Sequence, residues 1–157
     1  MSGTGAPRIG AVYTPNSGAP VSVDPTRMCE LLVGLPDVAV LEVLAVNPNA
    51  TTVSGDPAVA DLASVPGEFA GDIVMVNTEA AVDVVRECAK LGVPRVWLFK
   101  GIGGAGAVSD EAIELCRQHG INVIEGACPL MFLEPVGWFH RLHRSARRIN
   151  GSLARSA

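Results

Sequence analysis

The residues best suited to chemistry lie between Val96 and Cys128. Gly101, Gly103 and Gly106 stand at GxGxxG spacing after the apolar run Val96-Trp97-Leu98-Phe99, with Lys100 between run and glycines. A residue without a Cβ lets backbone approach a ligand closely, and Lys100 is a cation for a phosphate to meet. Glu125 ends the next apolar run, where the dinucleotide fingerprint carries an acid for a ribose hydroxyl. This spacing admits an NAD(P) site formed by Gly101, Gly103, Gly106 and Glu125. The helix start points elsewhere. Ser109 is the natural cap, three residues beyond the last glycine, whereas in the fingerprint the helix begins among the glycines and its amides hold the pyrophosphate. The other reading of GIGGAG is a flexible loop at the mouth of a crevice.

Other candidate groups are fewer. Thr14, Pro15, Asn16, Ser17 and Gly18 precede a predicted helix N-terminus and suit a phosphate. Cys29, Cys88, Cys116 and Cys128 show no CxxC or zinc spacing; the first three fall in predicted helices, where a thiol acts as a small apolar group. Cys128 lies in a loop before Pro129 and is the one candidate reactive thiol. His119, His140 and His143 form no metal pattern, and no Ser-His-Asp grouping can be assembled. Nothing in these residues proposes catalysis.

The elements that must position these groups alternate in type. Short apolar runs predict strands over 8–13, 38–46, 72–76, 96–99 and 121–124. Asp24-Pro25 predicts a helix to about Val33, and Asp56-Pro57 repeats that signal for a short helix to about Ala63. Thr78 is read as the cap of a helix with Val82, Val85, Cys88 and Ala89 on its apolar face, closed by Gly92. Ser109 caps the next, with Asp110 and Glu111 in its first turn and Gly120 ending it. Without hairpin signals, this alternation predicts an α/β chain: a Rossmann-like open parallel sheet of about five strands, helices on both faces, one domain. The crevice at the carboxyl ends of such strands is lined by Thr14–Gly18, Asn47-Pro48, Asn77-Thr78 and the loop from Lys100 through Gly101, Ile102 and Gly103 to Gly106. Cys128 lies near it.

Composition agrees. The chain has 157 residues, 48% hydrophobic but only 4% aromatic, which suits an aliphatic parallel sheet. All 16 acidic residues lie at or before Glu134, while Arg141, Arg144, Arg147, Arg148 and Arg155 lie beyond it. An acidic body argues against nucleic-acid binding, and no apolar run is long enough for a membrane span. Residues 1–7 read as a disordered lead without a signal-peptide pattern, 8–135 as the domain, 136–150 as a basic amphipathic helix packed on it, and 151–157 as a flexible tail. Arg141, Arg144 and Arg148 are the residues for an acidic partner or a phosphorylated ligand, and a homo-oligomer is a further expectation. The expected location is cytoplasmic.

Several strings share an order and spacing with a known family. They are Val46-Asn47-Pro48, Gly55-Asp56-Pro57, DLASVP from Asp61 to Pro66, DIVMV from Asp72, AKLGVPRVWLFKGI from Ala89 to Ile102, and INVIEGACP from Ile121 to Pro129. From about Val38 to Glu134 the chain resembles the small stand-alone CoA-binding proteins related to the CoA-binding domain of succinyl-CoA synthetase. The resemblance implies a Rossmann-type domain holding the nucleotide end of CoA, or of an acyl-CoA, across the loops after the first three strands. The loop after the fourth strand would border the same crevice. Asn77-Thr78-Glu79 stands where the family often has an arginine, and Glu125-Gly126-Ala127-Cys128 replaces its usual Asp-Arg-Cys. The implied function is CoA binding without catalysis of its own, or service as the CoA-binding subunit of a ligase or transferase with a partner chain.

Overall fold

The computed structural model describes residues 8–13, 42–53, 55–100 and 104–127. Seven strands, β1 (Arg8–Tyr13), β2 (Glu42–Val46), β3 (Thr52–Val53), β4 (Asp56–Val59), β5 (Phe69–Met75), β6 (Arg95–Leu98) and β7 (Asn122–Glu125), form one sheet in the order β3-β4-β2-β1-β5-β6-β7. Every neighbouring pair is parallel except β3–β4. With the two-residue β3 set aside, the parallel strands lie in the order 3-2-1-4-5-6 of the doubly wound fold. Strand order reverses between β1 and β5. In doubly wound sheets such a reversal marks a crevice at the carboxyl ends of the strands.

Sequence explains the centre of this sheet. Ala70, Gly71, Asp72, Ile73 and Val74 of β5 are all buried, as a strand covered on both faces requires. Helices α1 (Thr78–Leu91) and α2 (Asp110–Gln118) follow β5 and β6, and they touch one another, so they share a face. Ala81, Val82, Val85 and Cys88 form the buried stripe of α1; Ala112, Ile113 and Cys116 form that of α2. They meet Val74, Val96 and Leu98 in one core, where each fully buried Val or Leu contributes about 1.5–3 kcal/mol. Arg86 links the two helices outside the core, 2.8 Å from Asp83 and 2.8 Å from Glu111.

Three expectations are corrected. No helix starts at Asp56; residues Asp56–Val59 are β4, because Ala58 and Val59 find the open edge of β2 opposite Ala45 and Val46. Pro57, lacking an N–H, is tolerated near the start of β4, where the pairing with β2 begins only at Ala58. The helical piece nearby is a single 3-10 turn, Leu62–Ser64, capped by Asp61, whose Oδ1 accepts from the Ser64 amide at 2.8 Å and its hydroxyl at 2.6 Å. Second, the chain does contain a hairpin: β3 and β4 pair with Val53 opposite Asp56, and the turn passes through Gly55 at φ 93°. The dipeptide Ser54-Gly55 was its signal. Third, Asn77 rather than Thr78 caps α1, accepting from the Ala80 amide at 2.9 Å, and Thr78 is the first helical residue. The helix expected from Asp24 to Val33 and the one over 136–150 lie outside the described residues.

Candidate functional site

Strand register sets the geometry of the crevice. Val12 of β1 pairs with Val46 and Val74, Val74 with Leu98, and Leu98 with Glu125. One level therefore runs across five parallel strands, about 4.8 Å apart. The segments just beyond that level line its carboxyl edge: Asn47-Pro48 after β2, Asn77-Thr78 after β5, Phe99-Lys100 after β6 and Gly126-Ala127 after β7.

Asn47 is 3% exposed. Its N–H donates to the Val59 carbonyl at 2.8 Å, and its Oδ1 accepts from the Asn49 amide at 2.8 Å. The side chain thus closes an Asx-type turn through Pro48 and fixes where β2 ends. Beside it an open hollow of ≈ 540 Å³ is lined by Asn47, Pro48, Thr51, Thr52 and Ala58, among others. The β3–β4 hairpin builds its far wall. Asn47 and Pro48 were expected in the crevice; Thr51, Thr52 and Ala58 were not, since a short helix from Asp56 to about Ala63 was expected in place of β4 and no hairpin was expected.

Beyond the ends of β5 and β6, α1 meets the glycine loop. Thr78 Oγ1 donates to the Gly106 carbonyl at 3.1 Å. Gly106 itself has φ 59°, and a Cβ there would collide with the Phe99 carbonyl oxygen and lie 3.0 Å from Lys100 Cα. The next amide, Ala107 N–H, donates to that same Phe99 oxygen at 2.9 Å. The last glycine of GxGxxG is required by the chain's own backbone, and its neighbouring polar groups are already engaged. Gly104 differs: a Cβ there would find its nearest neighbour at 4.0 Å.

Lys100 leaves this loop over Gly126, where an added Cβ would meet Lys100 Cδ at 3.5 Å. Gly126 has φ 61°, and its N–H donates to the Leu98 carbonyl at 3.1 Å. Trp97, fully buried, donates from Nε1 to the Ala127 carbonyl at 2.9 Å and so anchors the loop after β7. Glu125, the acid of the dinucleotide reading, pairs with Arg117 of α2 at 3.0 Å. Helix α2 starts at Asp110 with Ser109 as cap, as its sequence indicated.

The described residues thus bring Asn47, Pro48, Asn77, Thr78 and Lys100 to one edge of the sheet. Thr14, Pro15, Asn16, Ser17, Gly18, Gly101, Ile102, Gly103 and Cys128 lie outside the described residues, as do Arg141, Arg144 and Arg148. Among the described residues, no three His, Cys, Asp or Glu side chains are grouped to hold a metal ion, and no helix is long and apolar enough to cross a membrane.

Comparison with known proteins agrees with this architecture. The family model described as a CoA binding domain matches residues 21–134, well over half of the chain. Among solved structures, Prb, a protein redesigned for binding, is 19% identical, with a TM-score of 0.58 over 92% of this chain and 84% of its own. A Thermus thermophilus protein is 24% identical, with a TM-score of 0.58 over 78% of this chain and 84% of that one. Acetyl-coenzyme A synthetase 1 of Ca. Korarchaeum cryptofilum is 19% identical, with a TM-score of 0.50; the match covers 76% of this chain but only 25% of that enzyme. These structural likenesses bear on the fold.

Proposed function

The chain belongs to the CoA binding domain family, and from that premise we propose that it binds CoA or an acyl-CoA at the carboxyl edge of its sheet, without chemistry of its own. The observation that carries this reading is the common level of the strand ends, which sets Asn47-Pro48, Asn77-Thr78 and Lys100 along one crevice. The chemistry of the residues fits the nucleotide end of CoA. The hollow beside Asn47 combines an amide, threonine hydroxyls and small apolar walls, a lining suited to a base and its ribose. Lys100 supplies a cation for a phosphate beside Gly126, in the segment where the family's usual arginine is absent. Thr14–Gly18, Gly101–Gly103 and Cys128 complete the proposed site from the neighbouring loops. A pantetheine arm leaving that edge would carry the thiol or thioester outward. The likeness to one quarter of an acetyl-coenzyme A synthetase supports a second reading, in which the same crevice serves a ligase or transferase formed with a partner chain.

The test is thermal stabilisation of the purified protein by CoA, acetyl-CoA, NAD, NADPH, FAD and ATP at matched concentrations. A ligand at about 100 times its dissociation constant stabilises a fold by roughly 2.7 kcal/mol. A shift with the CoA species alone supports the proposal. A shift confined to NAD or NADPH overturns it and moves the site to Gly101, Gly103 and Glu125. Co-purification with a larger chain, with CoA turnover only in the complex, favours the second reading.

A further inference from the structure

One buried ionisable group plays no part in the crevice. Asp72 lies in the middle of β5 with no exposed surface. It stands opposite Gly10 of β1 and Val96 of β6 in the sheet, so neither neighbour offers it a charge. Its Oδ2 accepts a hydrogen bond from the Cys88 thiol of α1 at 3.4 Å, and its Oδ1 has no partner. With one oxygen unpartnered, burial costs a carboxylate far more than it costs the neutral acid. The titratable groups facing it make ionisation harder rather than easier. Glu87 of α1 is acidic, and the Cys116 thiol of α2 lies beyond Cys88. Among the described residues no cation pairs with it. Burial pushes the carboxyl up to about 7, against the smaller opposing effects of the Cys88 bond and the Ile73 backbone.

We propose that buried Asp72, covered by Cys88 of α1, acts as a proton-dependent latch: α1 is held on the central strand while the carboxyl is neutral, and is loosened when it ionises because the buried charge then has little beyond the Cys88 thiol to compensate it. The latch acts on the helix whose first turn contains Thr78, and so on the bond from Thr78 to Gly106. Nothing in it depends on which ligand occupies the crevice. The sign follows from linkage. The folded chain keeps a proton that the unfolded chain, with an ordinary aspartate near 4, has already released. The contribution of this carboxyl to stability is therefore greatest below about pH 4, falls as pH rises towards about 7, and is level above that. Fully ionised, the latch contributes nothing further to the pH dependence.

Two measurements on the full chain test this. Carbon-13 NMR of the Asp72 side-chain carboxyl in the unaltered protein should give a titration midpoint near 7; a midpoint near 4 overturns the proposal. This readout holds even where a variant fails to fold. Hydrogen exchange of α1 amides, corrected for intrinsic base catalysis, should show an opening constant rising by up to about tenfold per pH unit between pH 5 and 7. In Asp72→Asn, whose amide cannot ionise, that rise should vanish. An identical pH dependence in both proteins overturns the latch, whatever the outcome for CoA.

Discussion

Thr78 Oγ1 and the Gly106 carbonyl, 28 residues apart in sequence, are joined by a hydrogen bond of 3.1 Å. It ties the first turn of α1 to the end of the glycine loop, so the segments that follow the neighbouring strands β5 and β6 are set by one another. Thr78→Val keeps the shape and removes the donor. Stability should fall by about 0.5–1.5 kcal/mol in urea denaturation. CoA affinity should fall with it, because the loop following Lys100 loses its tether.

The glycines of that loop should respond unequally. Gly106→Ala places a Cβ against the Phe99 carbonyl at a left-handed φ and should destabilise by about 1–3 kcal/mol. Gly104→Ala meets no atom closer than 4.0 Å and should stay within about 0.5 kcal/mol of the parent. Equal effects in chemical denaturation would show that this backbone approach is not what requires glycine at 106.

Asn47 and Lys100 separate shape from charge in the proposed site. Asn47→Ala opens the turn at Asn49 and should weaken CoA binding by about tenfold at any ionic strength. Lys100→Gln should weaken it by a similar factor at low salt, with the difference shrinking as salt rises. Isothermal titration at two salt concentrations distinguishes them. Unchanged affinity in both variants removes the crevice assignment.

The buried thiols should be inert in the native protein. Burial and the Asp72 charge push Cys88 well above its ordinary value, and burial pushes Cys116 up to about 11. A thiol must ionise to react, so iodoacetamide at pH 8 should spare both until urea is added. Peptide mapping reads the result directly, and rapid native labelling of Cys88 would contradict the packing of α1 on β5.

Trp97→Phe keeps an aromatic ring in the core but leaves the buried Ala127 carbonyl without its donor. The expected cost is about 1–3 kcal/mol. A loss of that size with unchanged CoA binding would confine the bond's role to stability.

Much of this was legible in the chain. The first strand, Arg8–Tyr13, is found where its residues predict it, and Ser109 caps α2 as expected. Those segments carry strong local signals, an apolar run or a capping serine followed by acids. The β4 region was not legible, because Asp56-Pro57 resembles a helix start locally and only the distant edge of β2 makes it a strand. The glycine motif was legible as a pattern but not in its purpose. GxGxxG announces close approach by backbone, and only the fold reveals that at Gly106 the approaching backbone is Phe99. Asp72 was hidden for a similar reason. In sequence it opens the string DIVMV as an acid at a strand's start; in the structure it is the fourth residue of β5, sealed beneath α1.

The short β3–β4 hairpin also shields one side of the sheet. A parallel sheet ending at β2 would offer a row of free amides and carbonyls to any strand that drifted past. Here β4 takes up that edge, bringing Pro57, which has no amide to offer, and β3 then ends the sheet after two residues running the other way. Recruitment of a stray strand along this side meets a stub too short to template it. The segment that shapes one wall of the hollow is at the same time a safeguard against aggregation.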